Sequence, residues 1–150
     1  MKKIVASLVA LALVSCGTKA TKNSENNSLF EILIQQSNGV SSTRFFEILS
    51  EPDQIAMLQN DENLKNKINP NDVQTSNFLV LNMGEKTSGG YSIGIDSVVE
   101  TDKNIVITIK ETSPEPGSMV TQAFTNPFCI SLFQDGTFLN KKTPLFLVAF

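Results

Sequence analysis

The chain has 150 residues, with 12 basic and 15 acidic side chains, 10 phenylalanines, no tryptophan and no histidine. The missing histidine removes the usual general base, the Ser-His and Cys-His nucleophile pairs and the commonest metal ligand. A net charge of −3 argues against nucleic acid as a partner and against electrostatic adhesion to anionic lipid.

Met1-Lys2-Lys3 followed by apolar Ile4 to Val14 has the form of a secretory signal peptide. The run is too short to span a bilayer, which takes about 20 residues. Leu13-Val14-Ser15-Cys16-Gly17 resembles the bacterial lipobox, which implies removal of residues 1–15, diacylglycerol on the Cys16 sulfur and an acyl chain such as palmitate on its new amine. The alternative is an ordinary cleaved signal with an incidental cysteine. Acyl chains contribute about 0.8 kcal/mol per buried methylene, so a triacylated Cys16 is a stable membrane anchor. The expected location is the bacterial cell envelope, at the outer membrane in a Gram-negative cell, because no aspartate follows Cys16. After cleavage 135 residues remain, with 10 basic and 15 acidic side chains and a net charge near −5. That length suits one domain. Residues 16–28 are polar and bury nothing, so they read as a flexible tether to a single β-rich domain over 29–150.

Leu29 to Gln36 reads as the first strand, Asn38-Gly39 as a turn, and Arg44 to Leu49 as an antiparallel partner. Ser50-Glu51-Pro52-Asp53 opens a helix, with Ser50 as cap, Asp53 at the capping-box position and Pro52 in the first turn. Ile55, Leu58, Met57 and Leu64 are its candidates for facing the sheet, and Lys65 to Ser76 is expected as a loop. Phe78 to Met83, Tyr91 to Glu100 and Ile105 to Glu111 read as a meander, turning at Asp102-Lys103-Asn104. Val120 to Thr125 and Phe128 to Phe133 are further strands, separated by Asn126-Pro127. Gln134-Asp135-Gly136-Thr137 is a second hairpin signal, and Leu145 to Phe150 a closing strand. The expected fold class is mainly β (α+β): an antiparallel β-sandwich or partly open barrel with one helix from the N-terminal half packed on it.

Two stretches stand out. In Gly84-Glu85-Lys86-Thr87-Ser88-Gly89-Gly90-Tyr91, three glycines lie between apolar flanks. It reads either as a tight hairpin with Tyr91 anchoring its base or as a loop presented to a partner. In Thr112 to Phe128, Pro116-Gly117 fits a type II turn that makes Ser113 to Ser118 stiff and projecting. Together the Gly-x-x-x-x-Gly-Gly-Tyr element and the Pro-x-x-Gly-x-x-x-x-Gln element with its following Pro-aromatic pair resemble the C-terminal domain of the protease-complex subunit PrcB, over about 78–133. The resemblance implies a non-catalytic lipoprotein associated with an exported protease or its precursor. The partner-binding candidates are Gly84, Lys86, Thr87, Ser88, Gly89, Gly90, Tyr91, Pro114, Pro116, Gly117 and Gln122.

No cofactor, metal or small-molecule substrate is expected. Asp96, Glu100, Asp102 and Glu111 lie on or beside the expected Tyr91–Glu111 hairpin, and they read as solvated strand faces and turns. Asn69-Pro70-Asn71-Asp72 lacks the spaced acids of a Ca²⁺ cage, and Glu85 to Gly90 lacks the helix that a phosphate loop needs. Cys129, among Phe128, Ile130 and Leu132, reads as a buried thiol in a strand. Two functional alternatives stay open. One is a protease inhibitor using Lys86 to Tyr91, since Thr87-Ser88-Gly89-Gly90-Tyr91 is similar to the glycine-and-aromatic loop of the chagasin-type inhibitors, though without its asparagine-proline start. The other is a structural envelope lipoprotein with no protease link.

Overall fold

The computed structural model describes residues 29–100, 105–134 and 145–149. The signal-peptide, lipobox and tether readings, the turns at 102–104 and 135–137 and the final Phe150 lie outside them. Seven strands and two short helices follow in the order β1 (Glu31–Gln36), β2 (Phe45–Leu49), α1 (Pro52–Gln59), α2 (Asp72–Thr75), β3 (Asn77–Asn82), β4 (Ser92–Glu100), β5 (Ile105–Thr112), β6 (Phe128–Phe133) and β7 (Leu145–Ala149). One sheet has the order β1-β6-β3-β2, the other β4-β5-β7. The expected mainly β class holds, in the sandwich form rather than as a barrel.

The burial pattern of β3 explains the layering. Phe78 and Val80 belong to a cluster with Ile55, Leu64, Ile68, Ile130 and Leu132 under the helices. Leu79, Leu81 and Met83 point the other way, into a cluster with Ile93, Ile105, Ile107, Ile109, Cys129 and Phe133. A strand apolar on both faces needs cover on both. Hence β3 is central in the four-stranded sheet, with the helices on one face and the three-stranded sheet on the other. Phe30 stacks on Phe133 in that inter-sheet layer, with ring centroids 5.7 Å apart. Among the described residues no helix is long and apolar enough to cross a membrane.

Several local expectations are corrected. β1 and β2 do not form a hairpin: β1 pairs with β6, and β2 with β3. The Asn38-Gly39 signal has another cause, since the Gly39 N–H donates to the Asn126 carbonyl (2.8 Å) and a Cβ on Gly39 would lie 2.9 Å from that oxygen. The glycine serves a close backbone approach, not a two-residue turn. β3 is not part of a meander with β4 and β5, because it faces them across the inter-sheet core instead of pairing with them. β5 and β7 pair in parallel, a departure from an all-antiparallel sandwich.

In α1 the N-cap is Glu51, with no side-chain capping bond, Pro52 at the helix start and Met57 turned outward. The capping bond read at Ser50 and Asp53 does not form; in the expected loop the Asp72 carboxylate accepts the Asn69 N–H (2.7 Å) as a local turn, and the chain makes the single turn α2, also without a side-chain cap. In β1 the register slips between Ile32 and Ile34. The Lys67 ammonium donates to the carbonyl of Leu33, the extra residue, so a group freed by the bulge keeps a partner.

Candidate functional site

Strand ends define one pole. Gln36 faces Phe128, Phe128 faces Asn82, and Asn82 faces Phe45, so β1 and β3 end where β6 and β2 begin. Ser92 faces Thr112, so β4 begins where β5 ends. The two sheets are tied together at this end. The Gln35 amide donates to the Ile93 carbonyl (2.8 Å), and Gly94 leaves it room, since a Cβ there would lie 2.8 Å from the Gln35 nitrogen. Arg44 bridges to Glu111 (2.9 Å) while its guanidinium lies over the Phe46 ring, 4.4 Å from the centroid.

The glycine stretch is a crossing between sheets, not a hairpin tip. The Asn82 side-chain carbonyl accepts the Gly84 N–H (2.7 Å) and its amide donates to the Ser41 carbonyl (3.3 Å). Gly84 has φ +75°, and a Cβ there would approach the Arg44 backbone nitrogen at 3.0 Å. Lys86 and Thr125 then exchange both backbone hydrogen bonds (2.7 and 2.9 Å). The Thr125 hydroxyl donates to the Ser88 carbonyl (2.7 Å), and the Gly89 N–H donates to the Thr121 carbonyl (2.9 Å). Gly90 has φ +87° and lies where a Cβ would meet Pro114 at 2.9 Å and Val120 at 3.1 Å. Tyr91 packs against the inter-sheet core, with the Lys86 ammonium over its ring at 5.7 Å, so the reading of Tyr91 as an anchor holds without the hairpin.

The second stretch is an arch over the first. Pro116 and Gly117 (φ +81°) form the expected turn, closed by the Ser118 N–H on the Glu115 carbonyl (3.0 Å), which is type II geometry. Residues 120–125 are not a strand: beyond the turn the backbone is committed to Gly89 and Lys86 instead of to a sheet. Asn126 continues the seam, its N–H donating to the Ser37 carbonyl (2.8 Å). The structure thus brings Gly84, Lys86, Ser88, Gly89, Gly90, Tyr91 and Pro114 into one packed unit. Pro116, Gly117 and Gln122 lie on its exposed rim, with Thr87 exposed beside them. Sequence reasoning missed Thr121 and Thr125, whose backbones join the stretches. It also missed Met119 and Phe124, large apolar side chains left 101% and 70% exposed. Met119 adjoins Val120 and Phe124 adjoins Ala123 in a run that reads as a strand, so no sequence signal set these two apart as exposed.

Little here resembles chemistry. Asp96 is exposed at the β4 bulge and Glu111 is paired with Arg44. Among the described residues no three His, Cys, Asp or Glu side chains are placed to hold a metal. Cys129 is fully buried, and burial pushes its thiol above the ordinary range, opposed by the Ser131 hydroxyl 3.6 Å away. A raised thiol pKa is the reverse of what a nucleophile needs.

Fold and loops define a layered β domain with one pole built from interlocked connections. Residues 78–131 match the family described as PrcB C-terminal, so the chain carries a segment of that kind, close to the expected 78–133. The segment runs from β3 into β6 and contains the glycine crossing, the β4–β5 hairpin and the arch. No curated protein and no solved structure matches the chain.

Proposed function

We propose that the chain is a non-catalytic envelope protein, anchored through acylated Cys16, that binds another protein through the loop pole as an accessory or stabilising subunit of an exported protease complex. The observation that carries this reading is the coincidence of the PrcB C-terminal match with the structural unit made by the two interlocked stretches and the four strands they join. Loops fixed on a rigid scaffold are where binding concentrates. This pole adds exposed Met119 and Phe124 to a backbone held by the Lys86–Thr125 and Gly89–Thr121 bonds, and such preorganisation lowers the entropic cost of association.

The anchor fits this geometry. β1 starts opposite the end of β6, so a tether entering at Leu29 would join the domain at the pole opposite the loops and leave them unobstructed. The Ser88 to Gly90 backbone lies along the arch, which suits a docking surface better than a plug entering an enzyme cleft. The test is affinity recovery of the full chain from envelope extract. Recovery of an exported protease or its precursor, lost on disruption of the loop pole, is the expected result. Reproducible recovery of no protease overturns the reading in favour of a structural lipoprotein, and inhibition of papain-like enzymes by the pure chain would favour the inhibitor instead.

A further inference from the structure

The helix-side face of the four-stranded sheet is covered at only one end. Phe78 and Leu132 are buried under α1 and the turns that follow it, whereas Val80, Phe128 and Phe45, on the same face toward the loop pole, stay half-buried. Over them lies a cavity of about 230 Å³, walled by the 38–41 connection and the 61–63 turn. Its floor is apolar except for the buried Asn82, whose amide donates to the Ser41 carbonyl, and its rim carries amide and hydroxyl groups. Asp61 supplies its one charge, and no cationic side chain lines it. One Asp61 oxygen accepts the Asn63 N–H (2.8 Å). Five of the described residues that flank the undescribed stretches lie away from the cavity: Leu29 precedes β1 and Gln134 follows β6 at the far pole, and Glu100, Ile105 and Leu145 lie side by side at that same pole, while Ala149 pairs with Ile109 in the other sheet.

We propose that this cavity is a peptide side-chain pocket. It takes an aromatic or branched apolar residue of an extended partner segment, with an adjacent lysine or arginine set against Asp61. The size fits, because a cavity of about 150 Å³ already holds a benzene ring. An aromatic group entering it buries floor that the helices leave wet. The proposal rests on the reading of the chain as a protein-binding module but not on the protease link, and the pocket lies beside the glycine crossing, sharing Ser41 and Asn82 with its first residue.

The test titrates the full chain in detergent with three capped, fluorescently labelled pentapeptides: Gly-Gly-Phe-Lys-Gly, Gly-Gly-Phe-Glu-Gly and Gly-Gly-Ala-Lys-Gly. The first should bind at least tenfold more tightly than the alanine peptide, since a buried ring carries most of the affinity. Asp61→Asn, which keeps an oxygen for the Asn63 N–H, should weaken the Phe-Lys peptide about three- to fivefold and leave the Phe-Glu peptide no weaker, as expected for a partly exposed charge pair. Asn63→Trp, placing a ring at the mouth from an exposed position, should abolish binding without lowering the melting temperature. Equal binding of all three peptides, no binding, or Phe-Lys binding untouched by both variants overturns the pocket. So does a concentration-dependent dimer that Asn63→Trp dissolves, which would make the occupant a second copy. If the envelope recovery succeeds and is unchanged in Asn63→Trp while the peptides fail to bind, the pocket falls and the function stands.

Discussion

Gly90 and Gly117 both adopt left-handed backbone, yet they belong to different kinds of corner. Gly90 is a joint, where any Cβ would run into Pro114 and Val120. Gly117 is a tip, with φ +81° and nothing within 4 Å of a Cβ. Positive φ is legible in both as a turn signal, but whether the turn is packed or free depends on which distant segment lands on it. The joint fixes the two loop stretches to each other; the tip only reverses the arch.

Substitutions at the two corners separate these roles. Gly90→Val should have the largest effect, combining left-handed strain of about 1–2 kcal/mol with overpacking of about 1–3 kcal/mol. The expected fall in melting temperature is roughly 10 °C, and a fall no larger than that of Gly117→Val would break the distinction. Gly84→Ala comes next, at about 2 kcal/mol, because it adds the same strain to a 3.0 Å approach to the Arg44 backbone. Gly117→Ala should cost about 1 kcal/mol from conformation alone, read by denaturant titration, with the Cys129 thiol as protected from aromatic disulfide reagents as in the parent.

That thiol also gives a pH test. Burial raises its pKa in the folded state, so its contribution to stability is fully present below the unfolded value and is lost as pH rises through the folded one. Stability should decline from about pH 8.5 upward, and Cys129→Ala should flatten part of that decline while lowering stability at neutral pH through the cavity it leaves. The smallest effect belongs to Glu111→Gln. Its partner Arg44 is 50% exposed, so removing the pair should cost under about 1 kcal/mol and less at high salt.

Much of the architecture was legible because it rests on local periodicity. The alternation of Ile105, Ile107 and Ile109 marks an inward face, and all three are buried. Pro116-Gly117 makes its turn from local preferences alone. Pairing partners were not legible, since β1 prefers β6 nearly a hundred residues away for reasons of layer cover that no short window contains. Asn38-Gly39 and the Gly84 to Gly90 run misled for a single cause: glycine is required both by reversals and by close backbone approaches, and these two are approaches. Ser50 and Asp53 show the same limit for capping, whose residues were right in type although neither helix takes a side-chain cap. The candidate residues of the site were identifiable from their stiffness. The seam through Thr121 and Thr125 depends on tertiary contact, and the sequence around it reads as an ordinary strand.

The most direct trial of a docking loop pole is a photo-crosslinking amino acid placed at Phe124, compared with one at Val99, an exposed apolar position near the far end of β4, in full-length chains in the native envelope. The account predicts a discrete adduct with an exported protease or its precursor from Phe124 and none from Val99. Adducts of equal yield from both positions, or from Val99 alone, would contradict it.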